Sequence, residues 1–149
     1  MTTDFGPELS AAEARILRRA AGIIIPASEA FGVPGADDPA IFADIVRSLG
    51  RDTADVRVAL AALGEGFCAL DEARAEAAAA AVLGRDDRVS AALGRVVLQC
   101  YYRDDRVLEA LGLEARAPYP KGHVVEQGDW SLLDRVRERA PLWRDDRRA

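Results

Sequence analysis

The chain has 149 residues, half of them hydrophobic, and carries 20 basic against 25 acidic side chains for a formal net charge of −5. This is the size of one domain that buries a core without metal or disulfide staples. The acidic balance argues against a nucleic-acid or anionic-membrane binder, leaving room only for local basic patches that nothing in the pattern demands, and no apolar run approaches the ~18 residues of a membrane-spanning helix.

Residues 1–9 read as an N-terminal extension with neither a basic n-region nor an apolar h-region. Ser10 and Glu13 then have the spacing of a capping box, in which each side chain satisfies an otherwise orphan amide. Ile16, Leu17, Ala20, Ile23 and Ile24 follow on one helical face, and Pro26 ends the helix. Arg18 and Arg19 precede three isoleucines in the manner of an export signal, but Pro26 and Glu29 cut the apolar run far too short for one. Residues 28–38 form a loop rich in turn formers: Gly32, Pro34 and Gly35.

Asp38 and Pro39 supply an N-cap and a first-position proline for a second helix lined by Ile41, Phe42, Ile45 and Val46, with Gly50 at its end. Asp52 or Thr53 caps a third helix, whose core seam is Val56, Leu60, Leu63 and Phe67. Asp71 opens a fourth, Ala-rich helix that Gly84 stops. Val89, Leu93, Val96, Val97 and Cys100 mark a fifth, and Val107, Leu108 and Leu111 a short sixth. No segment alternates with the period of a strand. Cys68 and Cys100 both stand among apolar residues, as buried thiols in a reducing compartment do.

The pattern changes at residues 113–129, a long loop containing Pro118, Pro120, Gly122 and Gly128; loops of this length tend to be functional or partner-bound. Residues 130–149 are expected to be a final helix, from Trp130 through Leu133 and Val136 to Arg139, and a tail beyond Pro141. The tetrad Arg-Asp-Asp-Arg occurs at 85, 103 and 144; the unequal spacings make these charge clusters near helix ends rather than an internal repeat. The expectation is an all-α, single compact domain over 1–149 of about six to seven helices, with a long C-terminal loop and a final short helix.

Chemistry-bearing residues are sparse. One histidine, two distant cysteines and scattered acids offer no metal-ligand spacing, and no glycine loop has a nucleotide or flavin fingerprint. The adjacent pairs Asp37-Asp38, Asp86-Asp87 and Asp104-Asp105 point in different directions from a helix and suit capping better than acid–base work. By contrast, Tyr101, Tyr102, Tyr119, Trp130 and Trp143 concentrate in the C-terminal third, and Tyr and Trp are the residues that anchor interfaces. With Lys121 and His123 of the long loop they form the candidate partner-binding set. The alternatives are that the tryptophans staple loop and tail onto the helical body, that His123 with a nearby Tyr or acid serves a small standalone enzyme, or that the chain is a helical regulatory protein.

Ile24-Ile25-Pro26, then Pro34-Gly35-Ala36 and Asp38, Phe67, Tyr101-Tyr102, and Val107 leading to Leu111-Gly112, with Pro120 and Gly122 beyond, run over nearly the whole chain. In these the sequence resembles the gluconate 2-dehydrogenase subunit 3 family, the small non-flavin subunits that accompany flavoprotein dehydrogenases of the glucose-methanol-choline type. The resemblance implies a stable complex with a large FAD-dependent alcohol or sugar oxidoreductase, which carries the cofactor and the chemistry while the small chain supports its folding, stability or export. Leu113 stands where family members often have an aromatic residue, so any contact of that ring does not carry over. Family members often bear a twin-arginine leader; this sequence starts on the domain, and the expected location is cytoplasmic, or periplasmic if a partner carries it.

Overall fold

The structure, a computed structural model, describes residues 9–117, 119–122 and 124–140. The fold is all-α: among the described residues there are seven α-helices and no strand, with one isolated bridge between Ser28 and Val33. The chain divides after Ala115 into two units, each described by itself.

In the first unit, α1 (Ala11–Ile24) opens with the predicted capping box. The Glu13 carboxylate accepts from the Ser10 amide at 2.7 Å, and the Ser10 hydroxyl accepts from the Glu13 amide at 3.2 Å. Its buried stripe is Ile16, Leu17, Ala20 and Ala21. Asp38 caps α2 (Pro39–Ser48) by accepting from the Ala40 and Ile41 amides at 3.0 and 3.4 Å. Ile41 and Ile45 of α2 face the core, but Val46, expected with them, turns to solvent. Five residues on from Ile41, at about 100° per residue, its side chain lies about 140° round the helix.

Gly50, at φ +44°, leads through a 3-10 turn (Gly50–Asp52) into α3 (Thr53–Leu63). Asp52 makes no capping bond there; its carboxylate holds Arg95 instead, at 2.7 and 3.3 Å. Gly64, at φ +82°, stops α3 three residues before Phe67. The expected four-residue seam is therefore broken: Phe67 sits on a separate 3-10 turn (Glu65–Ala69) and still fills the core at 1% exposure. Its neighbour Cys68 is exposed, against the expectation of two buried thiols, because on that tight turn Phe67 takes the inward position. Cys100 is buried as expected.

Asp71 caps α4 (Glu72–Leu83), which buries Ala75, Ala79 and Val82 and ends at Gly84. A reciprocal pair, Asp87 with Ser90, caps α5 (Arg88–Tyr101), and Asp104 caps α6 (Asp105–Ala110). Two of the three charged tetrads thus contribute N-caps; the third, 144–147, lies outside the described residues. Helices α3 and α5 form the most extensive pair, with α2 against α5 and α1 across α3 and α4.

Arg18 and Arg19 have structural work on α1. Arg19 donates to the carbonyls of Phe67 at 2.8 Å and Leu70 at 2.6 Å, with its guanidinium 5.5 Å from the Phe67 ring centre. Arg18 donates to the Asp37 carbonyl at 2.9 Å and lies 5.9 Å from the Phe42 ring centre. Among the described residues no helix is long and apolar enough to cross a membrane.

In the second unit, the helix expected from Trp130 to Arg139 is shorter: a 3-10 turn (Trp130–Leu133) followed by one turn of α-helix, α7 (Asp134–Arg137). Most helical stability in proteins comes from packing an amphipathic face, and here Leu132, Leu133 and Val136 are all exposed.

Candidate partner-binding surface

The two adjacent tyrosines at the end of α5 have different fates. Tyr101 is the last helical residue and is 5% exposed, whereas Tyr102, in the C-cap position, is 52% exposed. Their rings meet edge to face, centroids 5.2 Å apart at 89°, the arrangement that ring quadrupoles favour. Burial, with Tyr102 and Asp104 nearby, pushes the Tyr101 phenol pKa above its usual value, so it stays a neutral hydroxyl. Tyr101 therefore serves the core. Tyr102 and Leu98, one turn earlier, share an exposed apolar strip on α5.

Beside this strip lies an ionic corner. The Arg106 guanidinium bridges Asp104, at 2.9 Å, and Asp38, at 2.8 Å, joining the cap carboxylates of α6 and α2. Hydrogen bonds from Arg106 hold both carboxyls below the usual aspartate range, against a smaller opposing effect of burial. Arg103 pairs with Asp44 at 2.6 Å, bonds the Ser48 hydroxyl and reaches the Cys100 sulfur at 3.5 Å.

An open hollow of ≈ 300 Å³ sits here, lined by Ala40, Ile41, Asp44, Arg47, Cys100, Arg103, Asp104 and Asp105. Its chemistry is restrained. Burial raises the Cys100 pKa, which favours the thiol over the nucleophilic thiolate, and Asp44 and Asp104 are committed to arginines. The corner ties α2, α5 and α6 together.

The second unit holds the other candidate residues that the structure describes. Arg116 donates to the carbonyls of Ala117 at 3.0 Å and Gly122 at 2.7 Å, drawing the intervening residues into a loop. Gly122, at φ +69°, takes a backbone conformation that suits glycine. Tyr119 on this loop is 88% exposed, and Lys121 is exposed as well. Asp129 caps the following turn by accepting from the Ser131 hydroxyl at 2.6 Å and the Ser131 amide at 3.1 Å, which lowers its carboxyl pKa. That turn presents Trp130, whose indole N–H donates to Gln127 Oε1 at 3.3 Å while the residue remains 58% exposed. His123 and Trp143 lie outside the described residues.

Five apolar residues that the sequence reading did not place at the surface join this set. Val124 is 101% exposed, Val125 77%, Leu132 76%, Val136 54% and Leu133 42%. No described residue from Arg116 onward is buried. The available signal was the lack of helical period around Val124 and Val125: apolar residues without a period have no shared face to bury. Among the described residues no group of three or more His, Cys, Asp or Glu is placed to hold a metal ion. Compared with known protein families, curated proteins and solved structures, the chain matches none.

Proposed function

We propose that this chain is a non-catalytic small subunit that binds and stabilises a large FAD-dependent alcohol or sugar oxidoreductase of the glucose-methanol-choline type. The observation that carries the reading is the second unit, which displays Tyr119, Val124, Val125, Trp130, Leu132 and Val136 and buries none of them. Apolar side chains left exposed along one short segment suit an interaction surface, and exposed Trp and Tyr are the usual anchors. The motifs from Ile24-Ile25-Pro26 to Leu111-Gly112 support the class of partner. Flavin and substrate chemistry belong to the large subunit in this reading.

Co-expression with a glucose-methanol-choline-type flavoprotein from the same source tests it. The expected result is a yellow complex, a colourless isolated chain without oxidase or dehydrogenase activity, and a Leu132→Asp variant that binds about 10- to 100-fold more weakly, as loss of one buried leucine implies. Flavin binding or alcohol oxidation by the isolated chain would sink the reading. A complex indifferent to charge placed at Leu132 would remove the C-terminal segment from the interface and leave the subunit reading standing.

A further inference from the structure

The loop between α1 and α2 presents one aromatic ring that the surface described above does not use. Ser28 and Val33 exchange both backbone hydrogen bonds, at 3.0 and 3.1 Å. Above this bridge the Gly32 amide donates to the Glu29 carbonyl at 3.2 Å, with Gly32 at φ +63°. Below it the Ala36 amide donates to the Ile25 carbonyl at 2.9 Å. Gly35 closes the base so tightly that a Cβ there would stand 2.9 Å from the Ala27 backbone nitrogen and 3.2 Å from the Ile25 carbonyl oxygen. The loop is thus bonded at three levels. At its turn stands Phe31, 76% exposed.

A convex ring on a braced turn loses little conformational entropy when it docks, and its counterpart is a concave apolar socket. The charge around it selects the kind of surface. Between Pro26 and Asp38 the loop carries Glu29, Asp37 and Asp38 and no Lys or Arg, so an anionic bilayer repels it. A second copy carries the same formal net charge of −5 and repels this acidic loop, and the hollow on it is walled by Asp44, Arg47, Arg103, Asp104 and Asp105, a poor seat for a phenyl ring. Asp38 is held by Arg106, whereas Glu29 has no ion pair among the described residues. A protein socket with a basic rim complements that arrangement.

We propose that Phe31 is a second, preformed docking knob that inserts into an apolar socket on the large oxidoreductase subunit, with a basic residue of that subunit facing Glu29. The proposal rests on the accessory-subunit reading and adds a contact separate from the C-terminal surface.

The test uses the full chain and the co-expressed flavoprotein. Phe31→Ala is expected to weaken the complex about 10- to 100-fold. Phe31→Leu is expected to stay within a few fold of the parent, and Glu29→Arg to slow association most at low salt. The melting temperature of each free variant should match that of the parent. A benzophenone amino acid in place of Phe31 should crosslink to the large subunit, whereas one in place of the exposed Val58 should not. Phe31→Ala binding within twofold of the parent would overturn the proposal while the complex itself still stood. Crosslinking to a second copy of this chain, or phosphatidylserine vesicles bound through Phe31, would overturn it in the same way. If the unaltered chain fails to bind the flavoprotein, the accessory-subunit reading falls and this contact with it.

Discussion

The helical body and the segment beyond Ala115 both contain isoleucine, leucine or valine in quantity, yet they use these residues in opposite ways. In the body, apolar side chains recur at helical spacing, and Leu17, Ile45, Leu60, Leu93 and Val97 are at most 1% exposed. Beyond Ala115, Val124 and Val125 have no period, Leu132 and Val136 stand on single turns, and all four are exposed. Apolar content therefore becomes core chiefly where periodicity gives it a common face, with Phe67 on its 3-10 turn the exception; without a period it remains surface on which a partner can settle.

Paired substitutions probe this contrast most strongly. Phe67→Ala is expected to destabilise the body by about 3–5 kcal/mol, as emptying a fully buried ring site does. Leu132→Asp should shift unfolding by no more than about 0.5 kcal/mol. Urea denaturation of both variants measures the difference, and a large loss from Leu132→Asp would mean that the C-terminal segment supplies core after all. A smaller effect is expected at Gly35, where an added Cβ would lie 2.5 Å from Asp37 Oδ1 as well as against the backbone of Ala27. Gly35→Ala should cost about 1–3 kcal/mol, read as a lowered melting temperature. An unchanged melting temperature would show that the α1–α2 loop yields easily.

The smallest effect is expected from acid. Asp38 and Asp104 have folded pKa values below the ordinary 3.8, chiefly through hydrogen bonds from Arg106. The unfolded chain therefore takes up protons first. Their contribution is complete above the ordinary value and fades as pH falls through the lowered folded values. Arg106 is 48% exposed, so its ion pairs are worth about 1 kcal/mol or less. Arg106→Gln should leave a shallower loss of stability below about pH 4, seen by comparing urea midpoints at several pH values. An acid limb as steep as that of the parent would assign the acid sensitivity to other carboxylates.

Local signals made most of the fold legible. Ser10 with Glu13, Asp38 before Pro39, Asp71, and the glycines at 50 and 84 act through bonds or backbone angles within a few residues, so sequence spacing reveals them. What the sequence did not reveal depends on a distant partner or on a glycine that interrupts an otherwise regular period. Asp52 had the position of a cap but is held by Arg95, 43 residues on. Phe67 continued the α3 period by count, yet Gly64 broke the helix and the ring reached the core from another element. The candidate surface was legible in kind, through Tyr119 and Trp130. The division between Tyr101 and Tyr102 was not, because it depends on which ring the body covers.

The hydrogen bonds from Arg19 set an order of events on the ribosome. The carbonyls that receive its guanidinium lie 48 and 51 residues further along the chain, as does the Phe67 ring beside it. At cellular elongation rates the second of those acceptors emerges roughly 3 to 10 s after Arg19 does. Through that interval the arginine bonds are unmade, and the apolar stripe of α1 has only α2 and α3 to pack on until α4 and α5 follow Leu70 out, a window in which a chaperone has part of a helix face to hold.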